Sequence, residues 1–159
     1  MRPFLPKTLG KLETDIRSAV ALQVGSYTNG SFTQAAAASQ QSGNALLLYA
    51  TTNTSNWTLY YYNPPTTNLI RTNFYGSGLP GDSILVSANF ITNDSTHPIF
   101  TEVDYTGTPY SNASVAPVAP SINIYLSFTK LQDPDVVIAS GSVVDLYQIL
   151  ATATPRSGL

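Results

Sequence analysis

The side chains able to perform acid–base or nucleophilic chemistry are few and scattered in this sequence. The single histidine, His97, lies in a polar stretch directly before a proline, and no Gly-x-Ser-x-Gly motif accompanies it. A histidine in that context is typical of an exposed loop. The chain has no Cys, which excludes disulfides, thiolate-held zinc and cysteine nucleophiles. The sequence therefore predicts no catalytic residue and no enzyme.

Three carboxylates are candidates for metal ligands. Glu102 and Asp104 share one strand face with Phe100 at i, i+2 spacing, and Asp94 is the acid that precedes them. Three such donors could form a weak calcium site. Acids on an outer strand face more commonly discourage edge-to-edge pairing, and we favour that role. No EF-hand, phosphate-binding loop or dinucleotide-binding glycine pattern occurs, so we expect no metal and no cofactor.

Aromatic side chains give the clearest chemical signal. The chain contains ten Tyr and one Trp, and Trp57, Tyr60, Tyr61 and Tyr62 lie in one predicted strand. Alternation places Trp57, Leu59 and Tyr61 on one face and Tyr60 and Tyr62 on the other. Such rings suit burial under the chain's own loops, contact with another subunit, or stacking on a sugar. These alternatives stay open, and the predicted contact surface is Trp57, Tyr60 and Tyr62.

No charged residue occurs from Ser18 to Ile70, about a third of the chain. Charged residues make up 10% of the sequence, against about 25% in ordinary soluble domains. Because charge normally keeps protein surfaces apart, this composition indicates a surface covered in an assembly or touching a neutral partner such as a sugar. The net charge of −2 provides no basic field for nucleic acid. Neither a signal peptide nor a membrane-spanning run is evident, so we expect no membrane span.

The elements that would position these residues begin with a helix. Leu5, Leu9, Leu12 and Ile16 recur at spacings of four and three, which predicts an amphipathic helix. Its apolar stripe could pack on its own domain, or it could form a short bundle between copies or an anchor in a larger partner. We predict residues 1–24 as a docking and oligomerisation segment with these four side chains as its contacts.

The remainder is predicted to be mainly β. Residues 25–44 form a polar connector, in which Asn29-Gly30 could turn a hairpin. Residues 45–152 form an antiparallel β-sandwich, jelly-roll-like with about eight strands, and 153–159 form a tail. The predicted strands are 45–52, 57–63, 68–75, 83–92, 98–105, 121–129, 135–140 and 143–151. The last segment also matches a helix capping box at Ser142–Asp145, but a hairpin turning at Gly141-Ser142 is favoured.

In its low charge, its strands rich in Thr, Ser, Asn and Tyr, and its lack of a catalytic constellation, the chain resembles small virus and phage structural proteins of the capsid decoration, spike or head-fibre type. The resemblance is one of composition and covers residues 25–152. It implies a non-enzymatic virion subunit, made in the host cytoplasm. It also implies a homo-oligomer, with a trimer favoured, whose N-terminal segment lies near the capsid or another virion protein. The alternative is a carbohydrate-binding module or adhesin domain that uses surface Tyr and Trp to bind a host glycan.

Overall fold

A computed structural model describes residues 4–51, 53, 55–75, 79–80, 85–88, 91, 93–94, 96–104, 106–109, 121–131, 137–138, 141–142 and 144–155 of the chain. Helix α1 (Phe4–Ser18) comes first, and strands follow it. The strands are β1 (Ala21–Thr28), β2 (Ser31–Gln34), β3 (Ser42–Gly43), β4 (Ala45–Tyr49), β5 (Trp57–Asn63), β6 (Asn68–Tyr75), β7 (Leu79–Pro80), β8 (Leu85–Ala88), β9 (Phe100–Val103), β10 (Ser121–Leu131), β11 (Val137–Ile138), β12 (Gly141–Ser142) and β13 (Val144–Ala153). A 3-10 helix, Pro64–Thr66, joins β5 to β6.

The strands form antiparallel sheets. The larger sheet has the order β2-β1-β4-β5-β6-β7, with β8 also paired to β6, and the second has the order β13-β10-β9-β3. A separate pair joins β11 to β12. From β4 to β7 the strands of the larger sheet follow one another as a meander, which is a simpler connection than the Greek keys of a jelly roll. The mainly β architecture with an N-terminal helix is the predicted one.

One core joins α1 to the two larger sheets, which is the arrangement of a sandwich. The predicted alternation in β10 is confirmed, because Ile122, Ile124 and Leu126 are fully buried on one face. The side chain of Phe128, the fourth member of that set, lies outside the described residues. The core also takes side chains from the helix, from the larger sheet, from β9 and from the connecting segments: Leu12, Ile16, Ala19, Val24, Leu46, Leu48, Tyr60, Leu69, Ile91, Ile99 and Phe100.

The N-terminal helix is part of this core. Leu12 and Ile16 are fully buried in it, so neither is on the surface that the predicted docking role requires. The structure therefore corresponds to the first alternative, a helix packed on its own domain, because Leu12 and Ile16 share one core with side chains of both sheets. Leu5 and Leu9 lie on α1, and their side chains are outside the described part of the chain.

The predicted connector over residues 25–44 contains the end of β1 and all of β2 and β3. β1 pairs with β4 on one side and with β2 on the other, so this segment belongs to the sheets. The hairpin turn at Asn29-Gly30 is confirmed, with φ of 52° and 80°. Positive φ at both central residues is the requirement of the two-residue hairpin turn that matches strand twist.

The C-terminal ambiguity is resolved in favour of a strand. β13 pairs with β10 from Val144 opposite Leu131 to Ala153 opposite Ile122, and this long pairing overrides the local capping signal. Before it, β11 pairs with β12, with Ile138 opposite Gly141. Gly141 and Ser142 thus belong to a strand and not to the turn that they were predicted to form.

A buried side-chain amide supplies hydrogen bonds inside this weakly charged fold. Asn93 is buried, donates to the carbonyls of His97 and Tyr125 at 2.8 and 2.9 Å, and accepts from the Ser127 amide at 2.9 Å. Its three bonds fasten a loop to β10, because a buried amide needs partners for both of its ends. Within the described part of the chain, no helix has the length and apolar character needed to cross a membrane.

Candidate contact surface

Strand β5 carries the aromatic residues singled out from the sequence, and the structure assigns its two faces. Tyr60 is fully buried in the core, and Tyr62 packs against that core and donates to the Ile91 carbonyl at 3.2 Å. The prediction of Tyr60 as a surface contact is therefore wrong. The reason is that this face of β5 is turned toward α1 and the core. Trp57 and Tyr61 therefore lie on the opposite face.

That opposite face forms a second apolar cluster, which we call the outer aromatic face. Small and aliphatic side chains form the centre of this face, its floor, and aromatic rings lie at its two ends. The floor consists of Ala45, Leu47 and Leu59, and the rings are those of Tyr27, Phe32, Tyr49, Trp57, Tyr61 and Phe74. Phe74 is buried, whereas the other five rings are partly exposed. The larger sheet thus presents apolar side chains on both faces.

One end of the outer aromatic face is built around a stacked pair. Trp57 and Phe74 are direct partners across the β5–β6 ladder, and their rings stack with centroids 3.7 Å apart and planes 10° apart. Leu48 of β4 pairs with Thr58 of β5. Because the strands are antiparallel, the next residue of β4, Tyr49, lies opposite Trp57 and beside the stacked pair. We call Tyr49, Trp57 and Phe74 the aromatic patch. Rings of this size dominate contact energies when they are desolvated.

The other end is built around Tyr27 and Tyr61, whose ring centroids are 4.4 Å apart with planes tilted by 45°. Phe32 lies beside them, since it is the partner of Tyr27 in β2. Burial, reinforced by the neighbouring Tyr27, raises the pKa of Tyr61 above its ordinary value of 10.0. The Tyr61 phenol therefore stays neutral at physiological pH. All nine side chains of the outer aromatic face are thus uncharged there.

A charged network lies on the inner side of the same sheet. Asp15 of α1 accepts from the Tyr60 hydroxyl and from Arg71 Nε, each at 2.7 Å on the same carboxylate oxygen. Lys11 pairs with the other oxygen at 2.8 Å. Burial raises the pKa of Asp15, but the hydrogen bonds from Lys11, Arg71 and Tyr60 outweigh burial and hold it below its ordinary value. The network fastens the helix to β5 and β6.

The residues considered for acid–base chemistry or metal binding do not form one site. His97 is exposed and pairs with Asp94 at 3.0 Å within its own loop. Asp104 accepts from the amides of Thr106 and Thr108, which closes a turn. Glu102 is opposite Ile122 and so lies on the core side of β9 rather than on an outer face, and burial raises its pKa. Among the described residues, no three acids or histidines are grouped to hold a metal ion.

Several residues of the surface were missed by sequence reasoning. Tyr27 and Phe32 fell in the predicted connector, and Tyr49 and Phe74 lay in predicted strands but were not connected with Trp57. The signal that could have found Phe74 is the hairpin itself: the Pro64-Pro65 turn fixes the register that places position 74 opposite position 57. Asp15 and Arg71 had no such signal, since their contact spans 56 positions.

Comparison with protein-family models, with curated proteins and with solved structures gave no match for this chain.

Proposed function

We propose that the protein is a non-enzymatic structural subunit that assembles with copies of itself through the aromatic patch of Tyr49, Trp57 and Phe74. The setting we propose is a virion or similar extracellular assembly, in which the chain is a capsid-associated decoration, spike or minor capsid protein. A trimer is the favoured state. The observation that carries the proposal is the stacked Trp57–Phe74 pair, with Trp57 partly exposed, on the sheet face opposite the one that covers the core.

The chemistry of the patch supports contact between proteins. Interface cores are enriched in aromatic residues and depleted in charge, and the strands that bear the patch lie in or beside the uncharged stretch from Ser18 to Ile70. A surface of this kind is best stabilised by a matching surface on another copy.

The helix does not supply the contact at Leu12 and Ile16, since both side chains are buried in the chain's own core. Its role in the proposal is to complete that core on one face of the larger sheet, while the aromatic patch lies on the other face. This moves the expected assembly surface from the N-terminal segment to the sheet. The proposal that the N-terminal segment lies near the capsid concerns residues before Leu12.

Light scattering on the Tyr49→Glu variant tests this role. Tyr49 is partly exposed at the rim of the patch, so a charge there should leave the fold intact and repel an apposed copy. We expect the unchanged protein to be oligomeric and Tyr49→Glu to be monomeric, with the same far-UV circular dichroism spectrum. Phe32→Glu is the matched control at the other end of the face, and it should remain oligomeric. An oligomer that survives Tyr49→Glu with its mass unchanged would refute the patch as the interface.

A further inference from the structure

A cleft opens at the tyrosine end of the larger sheet because β4 is shorter than its two neighbours. β4 begins at Ala45, which pairs with Gly25 on β1 and Tyr61 on β5. β1 continues beyond this row to Thr28, and β5 continues to Asn63. The chain enters β4 from β3, which belongs to the other sheet. The ends of β1 and β5 therefore flank a gap, and the cleft there has a volume of about 330 Å³.

The walls of this cleft combine flat apolar surface with polar groups. The neighbouring rings of Tyr27 and Tyr61 line it together with Pro64 and Pro65. The side chains of Asn29 and Asn63 add amide donors and acceptors. The Asn63 side chain makes no capping bond to the 3-10 helix that follows it, so its amide is not committed there.

The absence of charge defines the ligand class. The lining consists of Tyr, Thr, Asn and Pro residues, so an ionised ligand would lose its hydration without gaining a counter-charge. A purely apolar ligand would leave the asparagine amides unpaired. A neutral saccharide meets both requirements, because its C–H faces stack on tyrosine rings while its hydroxyls bond to amides and phenols. Ligand pockets range over about 300–1,000 Å³, so this cleft suits one or two sugar rings.

The cleft is also rigid in its backbone. The Asn29-Gly30 turn is held at positive φ in both residues, and Thr67 adopts a φ of 52° while its amide donates to the Pro64 carbonyl at 3.2 Å. Pro64 and Pro65 have fixed φ angles by their ring chemistry. Ordering a binding loop is a main cost of association, and here that cost is already met by folding.

We infer that this tyrosine cleft binds a short neutral saccharide. The site is distinct from the aromatic patch, since Tyr27 and Tyr61 lie at the opposite end of the outer aromatic face from Trp57 and Phe74. Binding in the cleft does not depend on the proposed assembly. An assembled protein would repeat the cleft once per copy, which strengthens attachment to a repetitive glycan surface by multivalency.

The test uses the full chain on an array of neutral oligosaccharides of glucose, galactose, mannose and N-acetylglucosamine, with sialylated and sulfated glycans as charged probes. The best neutral sugar is then titrated by calorimetry. We expect affinity to fall about tenfold or more in Tyr27→Ala and in Asn63→Asp. Tyr49→Ala, a ring of the same face outside the cleft, should bind as the unchanged protein does.

Three results would overturn the inference: no neutral glycan bound more tightly than about 1 mM, binding confined to the charged probes, or binding that persists in both cleft variants. Asn63→Asp changes no volume, so it remains decisive where Tyr27→Ala weakens the fold. Molar mass is measured separately from binding. An unchanged protein that is monomeric but binds a neutral sugar would therefore count against the aromatic patch alone, and an oligomeric one that binds none would count against the cleft alone.

Discussion

Tyr60 of β5 donates its hydroxyl to Asp15 of the N-terminal helix at 2.7 Å, which connects the middle of the larger sheet to a residue 45 positions earlier. The same carboxylate oxygen accepts from Arg71 on the neighbouring strand. The side chains of Asp15 and Arg71 are only 12% and 11% exposed. Three elements are thus joined at one oxygen atom.

Removal of the Asp15 charge should destabilise the protein more than removal of any surface charge. Asp15→Asn leaves the Arg71 guanidinium in a mostly buried position without its counter-charge, and we expect a loss of about 2–3 kcal/mol in the free energy of unfolding. Urea unfolding at pH 7 measures it. Glu13→Gln is the matched control on the same helix: the Glu13–Arg17 pair is long at 3.6 Å and exposed, so its loss should cost less than about 1 kcal/mol. Equal losses in the two variants would contradict this account.

The same network predicts a defined pH dependence. The net effect on Asp15 is a pKa below the ordinary 3.8, so its stabilising contribution is present above that value and is lost as the pH falls through the lowered pKa. The stability difference between the unchanged protein and Asp15→Asn should therefore be constant from about pH 7 to pH 5 and shrink below about pH 4. Urea midpoints at each pH measure this difference. A constant difference down to pH 2 would show that the carboxylate charge is not the cause.

The stacked pair of the aromatic patch can be tested through the only Trp in the sequence. Phe74 is 5% exposed, and Phe74→Ala should cost about 3 kcal/mol and shift Trp57 emission to longer wavelength as water reaches the indole. Phe74→Leu keeps most of the volume and loses the stacking, so its cost should be below about 1.5 kcal/mol. Trp57 emission identical in Phe74→Ala and the unchanged protein would mean that the two rings do not stack.

Two glycines should respond oppositely to the same substitution. Gly30 has a φ of +80° with open space around its Cα, so Gly30→Ala should destabilise by about 1 kcal/mol through backbone strain alone. Gly10 lies in the middle of α1, is exposed and also has open space, so Gly10→Ala should stabilise by about 1 kcal/mol. Thermal unfolding followed by circular dichroism measures both changes. A Gly30→Ala variant as stable as the unchanged chain would mean that the hairpin turn is not of the described type.

Much of the β architecture was predictable because its signals are local. Alternation in Ile122, Ile124 and Leu126 identified a core strand, and the Pro64-Pro65 turn separated β5 from β6 at the correct residues. The first strands were missed for an equally physical reason. β1 contains Gly25 and Ser26, which have low β-propensity, and its stability comes from pairing with β4 and β2 on both sides.

The contact surface was less predictable because it depends on which face of β5 meets the helix. Alternation separated Trp57 and Tyr61 from Tyr60 and Tyr62, yet it contained no information about which pair faces the core. That choice is made by long-range contacts, above all the Asp15 carboxylate that receives the Tyr60 hydroxyl. Strand periodicity fixes two faces, and tertiary contacts decide which of them is inside.

Sedimentation equilibrium of the unchanged full chain tests the proposed assembly most directly. The weakly charged sequence and the partly exposed aromatic patch predict a molar mass that is a multiple of the 17.0 kDa monomer, with the trimer favoured and with the mass stable on dilution. A chain that remains a 17.0 kDa monomer at every concentration up to about 1 mM, while it is fully folded, would contradict the account.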